Sequence, residues 1–465
     1  MPTTDPRRPL EAELELGVAD GFVLAAVGDC MISRPISELA GADEAIAGVF
    51  DLLRGSDIAC GNLETSILRP DVHDAFPCSD GGDWTMRAEP SVAAALRAMG
   101  IGIVARANNH ALDWGVAGMR ETSRLLDETA VAHAGTGEHR GAARAAGYVE
   151  TAGGRVGLIS FTTTFRGTTD ALPPRGAAPA RPGVSALRLK RRFVVPSSTF
   201  DAVAALSHLV PDPDSYGEEA PNPDGIVSFL GQRFETGDVD DPVRRYDVSE
   251  LDVGELRAAV RLGKQHSDLL VVFVHSHEGS RGVGTTEEPG EFLHELAHDL
   301  IDAGADAFFT TGIHRLGPVE VYRERPVSYG LGNFICSDLQ EPLGADLHEE
   351  NQSVVRRVVG AEAVTDADLT NVLNAGCFSD PAWFTSVVMR ARFAREGLVG
   401  LELHPITLGY GERLTRSGIP ALAPSDVGRA VLDSLTASSA RYGTTIEVAS
   451  GAGGHLWGSV MSKPV

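Results

Sequence analysis

The sequence predicts an α/β fold built around a largely buried sheet. Three observations lead there. Short apolar runs recur along the chain and stop at polar residues. Amphipathic helical stretches lie between them. The polar residues that end the runs come repeatedly from Asp, Glu, Asn and His.

Residues 22–27 end in Gly28-Asp29, and residues 56–60 end in Gly61-Asn62. Residues 101–105 stop before Asn108-Asn109-His110, and 156–161 run into threonines. Residues 269–274 end in His275, and 307–310 lead to Gly312-Ile313-His314. Apolar runs this short, bounded by loops, read as buried strands.

Helices fill the gaps. Residues 90–99 put Val92, Ala95, Leu96 and Met99 on one face, with Pro90 near the start. Residues 118–127 do the same with Met119, Thr122, Leu125 and Leu126. Residues 291–303 form a third pattern, with Gly304 as its stop. Near the end, FTSVVMRARF and LVGLELHPITL within 384–408 alternate like two strands. Residues 425–438 then read as a helix capped by Ser425, with Val427, Val431, Leu432 and Leu435 inward.

Two stretches interrupt the alternation. Residues 167–250 are rich in Pro, Gly, Asp and Arg, and include PDPDSYGEEAPNPDG at 211–225. Residues 338–376 mix charges with weak periodicity. Long insertions of this kind usually act as lids or mobile loops. No repeat or linker stands out. The expected organisation is an extension at 1–20, a domain at 21–340 interrupted by 167–250, and strands and a helix within 341–465 that complete the same domain.

Composition narrows the function. The 465 residues are 43% hydrophobic and 22% charged, enough for a large core without disulfides. The net charge of −24 repels phosphate backbones and anionic bilayers, which argues against nucleic acid as a partner. A local site can still take a small anion. The five cysteines are odd in number, widely spaced and without a CxxC pair, so reduced thiols in the cytoplasm are expected. The first twenty residues hold Asp5, Arg7, Arg8, Glu11, Glu13 and Glu15 without a long apolar run, unlike a signal peptide. No window reaches the roughly 18 apolar residues of a membrane span.

Five strand-end loops present Asp29, Glu64, Asn109-His110, His275 with His277, and His314. In α/β sheets, ligands bind in the crevice outside the carboxyl ends of the strands. Carboxylate, amide and imidazole together suit Mn, Fe or Zn better than Ca. Each residue also has a plain structural reading. Asp29 and Asn109 suit turns, Glu64 a surface charge, and His275 a satisfied core histidine.

These same segments carry a family resemblance. AVGDCM at 26–31, GNLETSI at 61–67, ANNHALDWG at 107–115 and VFVHSHEG at 272–279 resemble the CapA family of poly-γ-glutamate capsule synthesis proteins. So do TGIHRLGPVEVYRERPVSYGLGNFI at 311–335 and the tail at 419–447. The resemblance implies a four-layer α/β/β/α sandwich of the calcineurin-like metallophosphatase type, with insertions. It implies Asp29 and Glu64 as carboxylate ligands, Asn109 as an amide ligand, and His275 and His314 completing a cradle for one or two divalent ions. His110 would be the general acid and Asp113 its orienting carboxylate, although Asp113 also suits a helix cap.

One departure stands out. Relatives usually carry His-Pro-His where this chain has His314-Arg315-Leu316, and Leu316 cannot ligate a metal. The second ion is then weak or absent, unless His277 replaces the lost ligand. Where relatives have Trp and Gly, this chain has Ser276 and His277; an exposed loop histidine is the alternative. Arg315 adds a guanidinium suited to a carboxylate or phosphate.

The leading expectation is a metal-dependent hydrolase or transferase acting on a small anionic phosphoester or γ-glutamyl amide. A non-catalytic factor in capsule polymer assembly is one alternative. A tailoring enzyme that forms or cleaves amide bonds is another. In that case Arg166, Arg188, Lys190, Arg191 and Arg192 would grip an acidic substrate, though such a run also suits a solvated face. No GxSxG elbow, Walker loop or dinucleotide fingerprint is present.

Overall fold

The computed structural model describes residues 11–69, 71, 74–78, 84–210, 225–281, 288–360, 363–451 and 454–461. The strands and helices alternate as expected, and the strands form two large mixed sheets. In the first sheet the parallel strands Phe22–Ile32, Ile58–Leu63, Ile101–Ala105 and Ala132–Ala134 lie side by side. Asn333–Ser337 runs parallel to the far half of Phe22–Ile32. The antiparallel pair Thr385–Ala394 and Gly397–Thr407 joins the near half of that strand. In the second sheet Gly154–Thr162, Leu269–His275, Ala307–Thr311 and Arg325–Ser328 are parallel neighbours.

Alternation along the strands sorts the core. Leu24 and Ala26 of the first sheet share one apolar cluster with Val271, Phe273 and Phe309 of the second. The other face of the first sheet, with Ala25 and Val27, packs on Val49, Phe50, Leu96 and Leu126. These come from the helices Glu44–Arg54, Ser91–Met99 and Gly115–Glu128. The other face of the second sheet, with Leu270, Val272 and Val274, packs on the helices Glu250–Gln265 and Phe292–Asp302. A residue's parity in its strand therefore decides whether it meets a helix or the opposite sheet.

The stretch expected as a long loop at 167–250 is largely structured. Val227–Phe229, Gln232–Thr236, Leu189–Val195 and Val243–Val248 make a separate four-stranded sheet, flanked by the helix Ser197–Leu209. Few of its residues are buried, so no apolar face marks these strands in the sequence. Of the stretch at 211–225, all but Gly225 lies outside the described residues. Within 338–376 the helices Ala345–Val359 and Asp366–Cys377 enclose a small cluster around Leu343, Leu347, Val355 and Leu369.

Leu16 and Val18 join the core between the sheets. Cys30, Cys60, Cys78 and Cys336 are free thiols, Cys78 an exposed one. Among the described residues, no helix is long and apolar enough to cross a membrane.

Asp252 ties the four-stranded insertion to the body. Its carboxylate is fully buried and meets Arg144 at 2.7 Å and Arg188 at 2.7 Å. Burial opposes its charge, but the Arg188 and Arg144 hydrogen bonds win and hold its pKa down at about 2. A carboxyl depressed on folding stabilises above its unfolded pKa and loses that contribution as pH falls through the folded value. Asp252→Asn is expected to lower unfolding free energy by about 2 kcal/mol at pH 7. In urea titrations, the gap from the parent should close between about pH 4 and pH 2.

Candidate metal centre

The centre begins with a register fault. Ala26 lies opposite Cys60, but Asp29 lies opposite Asn62, so the strand Phe22–Ile32 carries one extra residue between them. Side chains alternate along a strand, and one extra residue reverses their facing. Before the bulge the odd residues Ala25 and Val27 face the helices; after it the even residues Cys30 and Ile32 do. Asp29 is thereby turned toward the opposite sheet. It sits inside the strand rather than beyond its end, because Asn333–Ser337 extends the pairing.

Gly28 permits this. A Cβ there would fall 1.8 Å from the carbonyl oxygen of Gly332, which accepts the Asp29 N–H at 2.9 Å. On the second sheet no device is needed. Leu269, Val271 and Phe273 face the shared core, and His275 follows with the same parity.

Asp29 Oδ1 accepts from Asn62 Nδ2 at 2.8 Å, and Oδ2 accepts from the Gly312 N–H at 3.0 Å. His275 Nδ1 lies 3.6 Å from Asp29 Oδ1, and His314 Nδ1 lies 3.3 Å from Oδ2. His275 Nε2 is 2.9 Å from Asn109 Oδ1, 3.0 Å from His277 Nε2 and 3.3 Å from Glu64 Oε1. Two ligand triads result, Asp29 with Glu64 and His275, and Glu64 with His277 and His314; each has its donor atoms within 4.8 Å. Glu64 belongs to both. All six expected ligands, Asn109 included, thus meet in one cleft.

The two carboxylates differ. Burial opposes the charge of Asp29, yet the imidazoles of His275 and His314 beside it hold it well below the ordinary carboxylate range. Burial, then repulsion by Asp29, pushes Glu64 well above that range. Both Glu64 oxygens are buried and receive no hydrogen bond. An anionic carboxylate in that setting is strongly unfavourable unless a cation meets it. Burial also lowers the pKa of His275, favouring the neutral imidazole that ligates metals. The Cys30 side chain lies on the helix-facing side of its strand, away from this set, and burial pushes its thiol well up. Oxygen and imidazole donors with a donor-starved carboxylate fit a divalent ion such as Mn, Fe or Zn.

Beside this set, His110 Nδ1 lies 2.7 Å from Asp113 Oδ2. Asp113 does not cap the helix Gly115–Glu128, whose N-terminus has no side-chain cap. Its oxygens instead meet His110, the Met86 N–H at 2.6 Å and Arg166 Nη2 at 3.2 Å. Arg166, one of the basic residues considered as a substrate grip, is buried against Asp113. Arg315 is also buried, its guanidinium 6.0 Å over the ring of Trp383, the indole that flanks His314 at 5.5 Å.

The strand carrying His275 stops there, so His277 is presented by a loop rather than by continued alternation. Its N–H donates to Thr164 Oγ1 at 2.8 Å, and Glu278 gathers the hydroxyls of Thr163, Thr164 and Ser276. Its ring centroid is 4.9 Å from that of His275 and 5.6 Å from that of His314. Leu316 turns the other way, packing on the core between the sheets.

Three buried amides were not singled out by the sequence. Asn62 and Asn108 link Asp29 to the His110 backbone, and Asn333 Oδ1 fixes His314 Nδ1 at 2.8 Å. All lie inside recognised strings, GNLE, NNH and GNF. A polar residue embedded in a strand-like run was the available signal.

Two sheets whose parallel strands bring Asp29, Glu64, His275 and His314 together make this a candidate metalloprotein of the α/β class. The chain belongs to the bacterial capsule synthesis protein family PGA_cap, whose model matches residues 23–338. It is 38% identical to the uncharacterized protein y4sH of Sinorhizobium fredii, over 93% of this chain and 92% of that one. It is 27% identical to a probable polyglutamine synthesis accessory protein of Mycobacterium tuberculosis, over 76% of this chain and 73% of that one. It is 23% identical to the capsule biosynthesis protein CapA of Bacillus anthracis, over 68% of this chain and 59% of that one.

Gly28→Ala should displace Asp29 and weaken Mn or Zn binding at least about tenfold in calorimetric titration. Glu64→Gln should raise the melting temperature of metal-free protein, because it removes a buried carboxyl that burial and Asp29 disfavour. The same variant should lose the melting shift that added metal gives the parent.

Proposed function

We propose that this chain is a metal-dependent hydrolase or transferase acting on a small anionic phosphoester or γ-glutamyl amide. The observation that carries this reading is Glu64, a buried carboxylate without a donor, shared by two histidine-containing triads. The fold is read as the four-layer α/β/β/α sandwich of metallophosphatases. A core common to both sheets, with helices on each outer face, supports that reading.

Asp29, Glu64, Asn109, His275, His277 and His314 would hold one or two ions, with Glu64 as the shared ligand. His277 would stand in for the histidine that Leu316 lacks. A bound ion of this kind supplies Lewis acidity and an activated water. The chain's own contribution is proton handling and orientation. With Nδ1 held by Asp113, His110 keeps Nε2 to deliver a proton to a leaving group. Arg166 fixes Asp113 from its other oxygen. Arg315 would orient the anionic group of the substrate.

The relatives named for capsule biosynthesis and polyglutamine synthesis favour a second reading, a factor in assembling a glutamate polymer. There the centre would position a chain or partner without turnover.

One experiment separates the two. Purified protein is assayed for bound metal and for hydrolysis of a panel of phosphoesters and γ-glutamyl amides. The enzymatic reading expects at least one ion per chain, and a loss of about 10²–10⁴ in kcat for His110→Asn at unchanged metal content. Absence of divalent metal at micromolar concentration would sink it. Metal without turnover on either class would leave the assembly role.

A further inference from the structure

A second histidine–carboxylate cluster lies apart from the candidate centre and shares no residue with it. The helix Phe292–Asp302 carries His294 and His298, one turn apart and therefore on one face. Their ring centroids are 4.2 Å apart. Glu320 reaches them from the strand Val319–Tyr322 at the edge of the second sheet. Its Oε1 is 3.0 Å from His298 Nε2, and its Oε2 is 3.7 Å from His294 Nε2. One donor atom from each residue falls within a common 4.8 Å.

We propose that His294, His298 and Glu320 form a zinc site, independent of the centre described above. Two nitrogens among three ligands select a transition ion over Ca or Mg. Two histidines separated as in His294-Glu295-Leu296-Ala297-His298 are the spacing by which one helix face grips zinc. Two histidines and a glutamate also form a recognised three-ligand zinc set that leaves a fourth position open.

The surroundings fit that use. Glu320 is buried, and its Oε2 accepts the Tyr329 hydroxyl at 2.6 Å, the kind of outer contact that fixes a ligating carboxylate. Tyr322 stacks flat on His298, with centroids 3.6 Å apart and an 8° interplanar angle, so that imidazole is held in place. The His294 side chain is 42% exposed, which gives an ion a way in. Zinc here would clamp the helix Phe292–Asp302 to the sheet edge it covers.

The test counts zinc ions on full-length protein by equilibrium dialysis, in the parent and in Glu64→Gln, which disables the main centre. His294→Gln is then added to each; His294 is half-exposed, so the change does not threaten folding. The expected result is a loss of one zinc per chain, or a fall in affinity of about a hundredfold, in both backgrounds. Cobalt in the Glu64→Gln protein should give the visible absorption of a four-coordinate ion, abolished by His294→Gln. Equal zinc content and affinity with and without His294→Gln would overturn the proposal, and the cluster would be a hydrogen-bonded network only. Because the readout is a difference within each background, failure of the main centre would not mimic failure of this one.

Discussion

Asp29 and Glu64 are held beside one another out of water, and hydrogen-bond donors reach only Asp29. Like charges so placed repel, and burial magnifies the repulsion. In the protein alone, burial and Asp29 push the Glu64 carboxyl up, while imidazole and amide surround Asp29 and hold it down. A divalent cation between them would relieve the repulsion, since it would meet both carboxylates at once. The surrounding architecture serves to keep those two groups together against that repulsion.

It does so with main-chain geometry more than with side-chain contacts. A one-residue bulge turns Asp29 inward, and a glycine at 28 lets two backbones touch. His314 adopts a left-handed conformation, φ 55°, just after Gly312 at φ 105°. Such backbone is unfavourable for a non-glycine residue and persists where its surroundings over-determine it. The Gly312 N–H on Asp29 and the Asn333 amide on His314 supply that constraint.

Much of this was legible in the sequence. The central strands, four of the helices and the polar side chains that meet at the candidate centre stood out, because buried strands read as apolar runs and these residues interrupt or follow them. Other features left no such trace. The bulge at Gly28 depends on pairing with Gly332, three hundred residues on, which no local pattern encodes. The strands of the insertion's sheet are mostly half-buried and lack period-two contrast. The role of Arg166 hid in a basic run, since burial against Asp113 is a tertiary fact. The helix Glu44–Arg54 had a capping aspartate at 43 and an inward stripe, Ile46, Val49, Phe50 and Leu53, and could have been recognised.

The hydrogen bond from Gly312 to Asp29 spans 283 residues. At ribosomal speeds of 5–20 residues per second, roughly 15 to 60 seconds separate the synthesis of its two ends. The acidic pair emerges early, while His275 and His314, which face Asp29, are made much later. A nascent chain therefore carries the acidic pair before the histidines that face it have been made. The site is complete only in molecules whose two sheets have already docked.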